Sequence, residues 1–203
     1  VRFIEDDIAH GAATAITVPI IGWVAKDTTS YGFPVALLGG EQDREPGSVD
    51  VGNGVSPRGA LLAPRPPTQT SAPMPPEGIG RWVASIRARD LARGKRGVWM
   101  YILDNEPTLW SETHRDIHPE PTSYDELLQR TIDYGTAIRR ADPDARIAGP
   151  ALWGWTAYFG SGVDKAAHPR HPDRDRHGGV ALLPWWLRET AAHERRTGVR
   201  LLD

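Results

Sequence analysis

The chain has 203 residues, 39% of them hydrophobic and 25% charged, with a formal charge of −2 and a pI near 6.4. That composition excludes a disordered segment, and the slight acidity gives no reason to expect nucleic acid as a partner. The absence of cysteine excludes disulfides and thiolate metal sites, and no apolar run approaches the roughly 18 residues of a membrane span.

The chain starts at Val1 rather than Met, without a basic segment and apolar run that would mark a signal peptide. Ile4 and Ile8 at helical spacing, followed by Gly11, predict the last turns of a helix. Ala15 to Trp23 reads as a strong strand in which Pro19 removes a ladder donor and marks a bulge. Trp23 and Lys26 then emerge at its carboxyl end. Residues 27–76 show little periodicity and much Pro, Gly and Ser, so a long excursion is expected, walling a cleft on the active-site side rather than linking two domains. Within it Gln42, Asp43, Asp50 and Asn53 offer oxygens that could hold a structural calcium, although their spacing matches no EF-hand. Ile79, Trp82, Val83 and Ile86 predict an amphipathic helix. The basic run Arg87, Arg89, Arg93, Lys95 and Arg96 reads as a solvated helix end, because no aromatic platform interleaves it.

Val98 to Leu103 carries no charge and predicts a strand covered on both faces, which Asp104-Asn105-Glu106-Pro107 ends abruptly. Ionised groups are tolerable at a strand's carboxyl end, where α/β proteins keep their active sites. A carboxylic acid at such a place can protonate the leaving oxygen of a glycoside, and a neighbouring amide can hydrogen-bond the sugar 2-OH. The plainer alternative is a loop glutamate that caps a helix or meets an arginine. Trp110 is a candidate floor for a sugar subsite. His114 and His118 lack an HExxH helix and read as residues that fix the loop.

Ser123 to Glu126 is a capping box, opening a helix with Leu128, Ile132, Gly135 and Ile138 on one face and a stop at Asp142-Pro143-Asp144. Ala145 to Pro150 is a short strand, and Trp153, Trp155 and Tyr158 just past it form either stacking surfaces or a small core of their own. His168, His171, Asp173, Asp175 and His177 sit in a polar loop without the anchoring that metal ligands need. Leu183, Trp186, Leu187 and Thr190 mark another helix, with Pro184 in its first turn and Gly198 beyond its end. Val199 to Asp203 starts a further strand. The alternation predicts parallel βαβ units: three strands and the stub of a fourth, in an α/β fold that is about half of a (β/α)8 barrel, since a complete one takes about 250 residues.

The stretch DNEPTLWSETHRDIHPEP from Asp104 to Pro121, together with Gly22–Asp27, Gly149–Trp155 and Leu183–Leu187, resembles the glycoside hydrolase family 44 endoglucanases and xyloglucanases. The resemblance runs over essentially the whole chain, with the motifs in the same order. It implies that residues 1–203 are a fragment of a single catalytic domain, a retaining hydrolase of β-1,4-glucans exported in its complete form, needing no cofactor. Glu106 takes the place of the family's acid/base glutamate, and the nucleophile lies beyond Asp203. Glu112 and Glu120 match no nucleophile position.

In the complete enzyme Glu106 is expected to protonate the glycosidic oxygen and later deprotonate water. Asn105 would orient the 2-OH, with Trp23, Lys26, Trp110, Trp153, Trp155 and Tyr158 binding the β-glucan, and no turnover is expected from these 203 residues alone. Two readings compete: a non-catalytic glucan-binding module using the aromatic rim, and a metal-dependent hydrolase centred on residues 168–177.

Overall fold

A computed structural model describes residues 2–38 and 50–203. Gln42 and Asp43, two of the four candidate calcium ligands, lie outside them. After helix α1 (Arg2–Ala9), strand β1 (Thr14–Val18) pairs in parallel with β4 (Val98–Leu103), which in turn pairs in parallel with β5 (Ile147–Ala148), giving the sheet order β1-β4-β5. The uncharged stretch that looked most strand-like is therefore the central strand. Its register aligns Val18 with Leu103 and Tyr101 with both Ile16 and Ile147.

Side chains alternate across a strand, so this register sorts the sheet into two faces. Val18, Tyr101, Leu103 and Ile147 share one face and are buried, whereas Ala15, Thr17, Met100, Ile102 and Ala148 share the other and are exposed or partly so. Among the described residues the expected cover is present on one face of the strand only. Helices α3 (Pro76–Arg93) and α5 (Tyr124–Ala141) pack together and contribute to the core with Tyr101 and Leu103.

The strand expected from Ala15 to Trp23 stops at Val18. Pro19 ends the ladder rather than sitting in a bulge, and the irregularity in register falls at Thr14/Ala15 instead. Trp23 belongs to β2 (Trp23–Ala25), which pairs antiparallel with β3 (Ser71–Pro73) in a second sheet. The excursion is thus an arm closed at its base, carrying a short helix α2 (Val35–Leu38). Asp50 accepts a hydrogen bond from the Ala36 N–H at 2.7 Å and Asn53 one from the Val55 N–H at 2.9 Å. Arg115 reaches from the far side of Glu106 to the carbonyls of Leu62 (2.6 Å) and Gly54 (2.7 Å) and stacks on Phe33, binding the arm to the segment that follows β4.

α3 starts with Pro76 in its first turn, ends on left-handed Gly94, and buries Ile79, Val83 and Ile86. Trp82, expected on that stripe, is 37% exposed. The basic run is not simply solvated: Arg87 and Arg96 pair with Asp142 at 2.9 and 2.5 Å, and Arg93 pairs with Asp90. α5 buries Tyr124, Leu127, Thr131, Tyr134, Gly135 and Ile138, leaving Leu128 and Ile132 partly exposed. Its tyrosines set that rotation, since buried hydroxyls need partners: Tyr134 donates to the Met74 carbonyl at 2.8 Å. The capping box is half formed. Ser123 accepts from the Glu126 N–H, while the Glu126 carboxylate turns to His118 and Arg130.

The polar loop expected at 168–177 holds the short helix α7 (Pro172–Arg176), and another, α6 (Gly162–Ala166), precedes it. Asp173 is fully buried, accepting from the Tyr124 N–H at 2.8 Å and the Ser161 hydroxyl at 2.7 Å, and His177 stacks on the Tyr124 ring. Asp173 and His177 thus tie α7 to α5, and among the described residues no three His, Asp or Glu side chains converge as a metal site. α6 packs closely enough that a Cβ on Gly162 would lie 2.9 Å from the Thr122 nitrogen and 3.1 Å from the Thr108 carbonyl oxygen. Both are backbone atoms that cannot swing aside. Gly162→Ala should therefore cost about 1–3 kcal/mol, read as a lower urea midpoint at unchanged slope.

α8 (Leu182–Thr197) buries Leu182, Trp185, Trp186, Thr190 and His193, with Leu187 at 48% exposure, and ends on left-handed Gly198. Beyond it the Asp203 N–H donates to the Ile147 carbonyl at 2.9 Å, placing the tail beside β5 without forming a strand. No helix among the described residues is long and apolar enough to cross a membrane.

Candidate active site

The last ladder bond at this end of β4 runs from the Asp104 N–H to the Val18 carbonyl at 2.8 Å, and the chain then turns sharply. Asp104 (φ 58) and Glu106 (φ 51) both take left-handed backbone conformations, which cost an L residue roughly 1–2 kcal/mol each and are rare outside glycine. The Glu106 N–H donates to the Ala151 carbonyl at 2.7 Å, and its own carbonyl accepts from the Leu109 N–H at 2.8 Å, opening the single 3-10 turn Pro107–Leu109. This anchors the glutamate to the segment that follows β5.

The Glu106 side chain is partly buried and caps nothing. Among the described residues no group hydrogen-bonds or ion-pairs its carboxylate, so neither partner of the plainer alternative, a helix cap or an arginine, is in place. Asn105 beside it is exposed.

Residues flanking Glu106 in the sequence line two cavities, although Glu106 itself lines neither. One of about 700 Å³ is lined by Pro19, Trp23, Tyr31, Phe33, Asp104 and Asp116 among others. Another of about 470 Å³ is lined by Thr108, Leu109, Trp153, Phe159, Lys165 and His171 among others. Glu106 sits midway along the chain between Asp104 and Thr108, one on each wall. Both volumes lie in the range that small ligands or single sugar units fill.

Of the residues expected to bind a glucan, Trp23 is partly buried in the first wall and Lys26 is exposed. Trp153 is 47% exposed in the second wall, with Trp155 (73%) and Tyr158 (38%) beside it. Trp155 meets Tyr158 and Phe159 edge-on at 5.8 and 5.4 Å, so this cluster packs on itself and still presents its rings to solvent. Trp110 is a correction. It has no exposed surface, and its indole N–H donates to Asp104 at 3.3 Å, so it is core and cannot floor a subsite. The reason is the sharp turn at Glu106, which folds Pro107–Trp110 back under β4.

Several residues at the site escaped the sequence reading. Asp116 lies against Gly32 in the first wall, where burial raises its pKa. Lys165 bridges from α6 to Glu112 on the short helix α4 (Trp110–Thr113). Beneath the turn Arg130 lies over the Trp110 ring and donates to the Ile20 carbonyl (2.9 Å) and to Glu126 (2.8 Å). Neither periodicity nor motif marks any of these, because each acts across elements distant in sequence.

His118, also packed on Trp110, bonds Glu126 through Nε2 at 2.7 Å, and among the described residues its buried Nδ1 has no hydrogen-bond partner. Burial pushes the Glu126 pKa up, but the bonds to His118 and Arg130 outweigh it and hold the carboxyl below the ordinary value. A carboxyl depressed on folding stabilises above its unfolded pKa and loses that contribution as pH falls through the folded one. Urea midpoints should therefore fall as pH drops below about 4.5, and Glu126→Gln should flatten that fall. An unchanged pH slope in the variant would remove Glu126 from the account.

The central strand of this α/β sheet thus ends in a glutamate whose carboxylate has no partner among the described residues, and its sequence neighbours line cavities that hold aromatic rings. The sequence model of glycoside hydrolase family 44 matches residues 1–203, and the chain belongs to that family. It is 36% identical to a bifunctional glucanase-xylanase (CelM2) from a metagenome library, whose structure superposes with a TM-score of 0.88 over 100% of this chain and 41% of that one. A Paenibacillus polymyxa xyloglucanase of family 44, solved with xyloglucan, is 25% identical with a TM-score of 0.66 over 99% of this chain and 36% of its own. Endoglucanase A of Paenibacillus lautus is 53% identical over 63 residues, 31% of this chain and 9% of that protein. The chain thus spans less than half the length of each of these relatives.

Proposed function

We propose that this chain carries the acid/base half of a retaining endo-β-1,4-glucanase of the cellulase and xyloglucanase type, within a complete (β/α)8 barrel. The observation that carries the reading is the Glu106 carboxylate, unpaired among the described residues in the turn that ends the central strand, whose flanking residues Asp104 and Thr108 line the cavities that hold Trp23 and Trp153. In this reading Glu106 gives its proton to the glycosidic oxygen as the bond to the anomeric carbon breaks. That carbon joins a second carboxylate supplied from elsewhere in the complete enzyme. Glu106 then takes a proton from the water that releases the sugar. Asn105, one residue before the acid, is assigned to the 2-OH. Trp23, Trp153, Trp155 and Tyr158 are assigned to stacking on a β-glucan, with Lys26 as a polar contact. The xyloglucan complex of the P. polymyxa relative supports a glucan as substrate, and the endoglucanase relatives support export of the complete protein.

The competing reading, a non-catalytic glucan-binding module, uses the same aromatic rim. Glu106→Gln in the complete enzyme, assayed for hydrolysis and glucan binding together, separates the two. An enzyme loses the first and keeps the second, and a module changes in neither.

A further inference from the structure

Asp104 is the buried acid closest in sequence to Glu106, and the acid/base chemistry proposed above gives it no role. It is 7% exposed, and its two carboxylate oxygens accept four hydrogen bonds from three parts of the chain. One oxygen takes the Ile20 and Ile21 N–H groups at 2.6 and 3.0 Å. The other takes the Asn105 N–H at 2.8 Å and the Trp110 indole N–H at 3.3 Å.

The need for a carboxylate follows from the local sequence. Pro19 ends the β1 ladder, so the next two N–H groups would be buried without partners, and an acceptor on the neighbouring strand must supply them. Four convergent donors require a group that only accepts. Asparagine at this position would turn an NH₂ toward two of them. Aspartate also tolerates the left-handed conformation better than most residues. An acid whose oxygens are already occupied by four N–H donors is poorly placed to attack a sugar.

We propose that Asp104 is the positioning residue for Glu106, a role that rests on Glu106 being the acid/base. Its carboxylate fixes where the chain leaves the sheet, and with the Ala151 contact it determines where the Glu106 side chain lands. The bonds to Ile20 and Ile21, just ahead of Trp23, hold the arm and the acid as one body. Displacing the acid by about 1 Å is enough to cost on the order of 100-fold in rate.

The test compares kcat/KM in the complete enzyme on a cello-oligosaccharide, whose leaving group must be protonated, and on a dinitrophenyl β-cellobioside, whose leaving group needs no proton. Asp104→Asn should lose at least ten times more on the oligosaccharide than on the aryl glycoside. Trp110→Phe, which removes one of the four donors and keeps most of the ring volume, should shift the ratio the same way by less, and serves if Asp104→Asn does not fold. A residue with a merely structural role lowers both rates equally by reducing the folded fraction. Glu106→Gln is the control. If it lowers both rates equally, the acid/base reading itself fails. If it discriminates between the substrates while the Asp104 and Trp110 variants do not, only the positioning role is overturned.

Discussion

Glu106→Gln in the complete enzyme is expected to lower kcat/KM on an unactivated β-glucan by about 10²–10⁴-fold, the usual contribution of a positioned general acid. The amide matches the carboxyl in shape and has no acidic proton to give. Stability should stay within about 0.5 kcal/mol, since no described residue bonds the carboxylate and its loss leaves no buried partner orphaned. Glucan affinity should persist because the aromatic walls are untouched. Equal hydrolysis by variant and parent, with binding intact, would remove Glu106 from the chemistry.

Trp110→Ala should cost about 3–5 kcal/mol, a large part of the 5–15 kcal/mol that holds a typical domain together. The ring is fully buried between Arg130 and His118, so its removal opens a cavity and takes one donor from Asp104. Trp155→Ala removes a ring that is 73% exposed and should leave stability within about 0.5 kcal/mol while weakening glucan binding. Urea denaturation of the two variants measures the contrast. A Trp110 variant as stable as the Trp155 one would contradict the assignment of Trp110 to the core.

The central strand, its abrupt end at Glu106 and helices α3, α5 and α8 were legible because their signals are local: uncharged runs, 3.6-residue periodicity, prolines and terminal glycines. The family was legible for a related reason, since short motifs keep their order along the chain. Which face of each element is buried was read less well. Trp82 and Leu187 fit a helical stripe and lie in the open, and Trp110 was taken for surface and lies in the core.

Periodicity shows that a stripe exists, but its exact rotation depends on what the other elements bring to it. The sequence by itself determined the alternation of strands and helices, the family and the position of one acid at a strand's end. Only the tertiary structure decided that β2 leaves the main sheet for β3, and that Asp104 gathers donors from Ile20, Ile21, Asn105 and Trp110. The physical reason is range. Propensity, capping and patterning act over a few neighbouring residues, whereas a buried carboxylate satisfied by an N–H more than 80 positions away exists only once the chain has closed on itself.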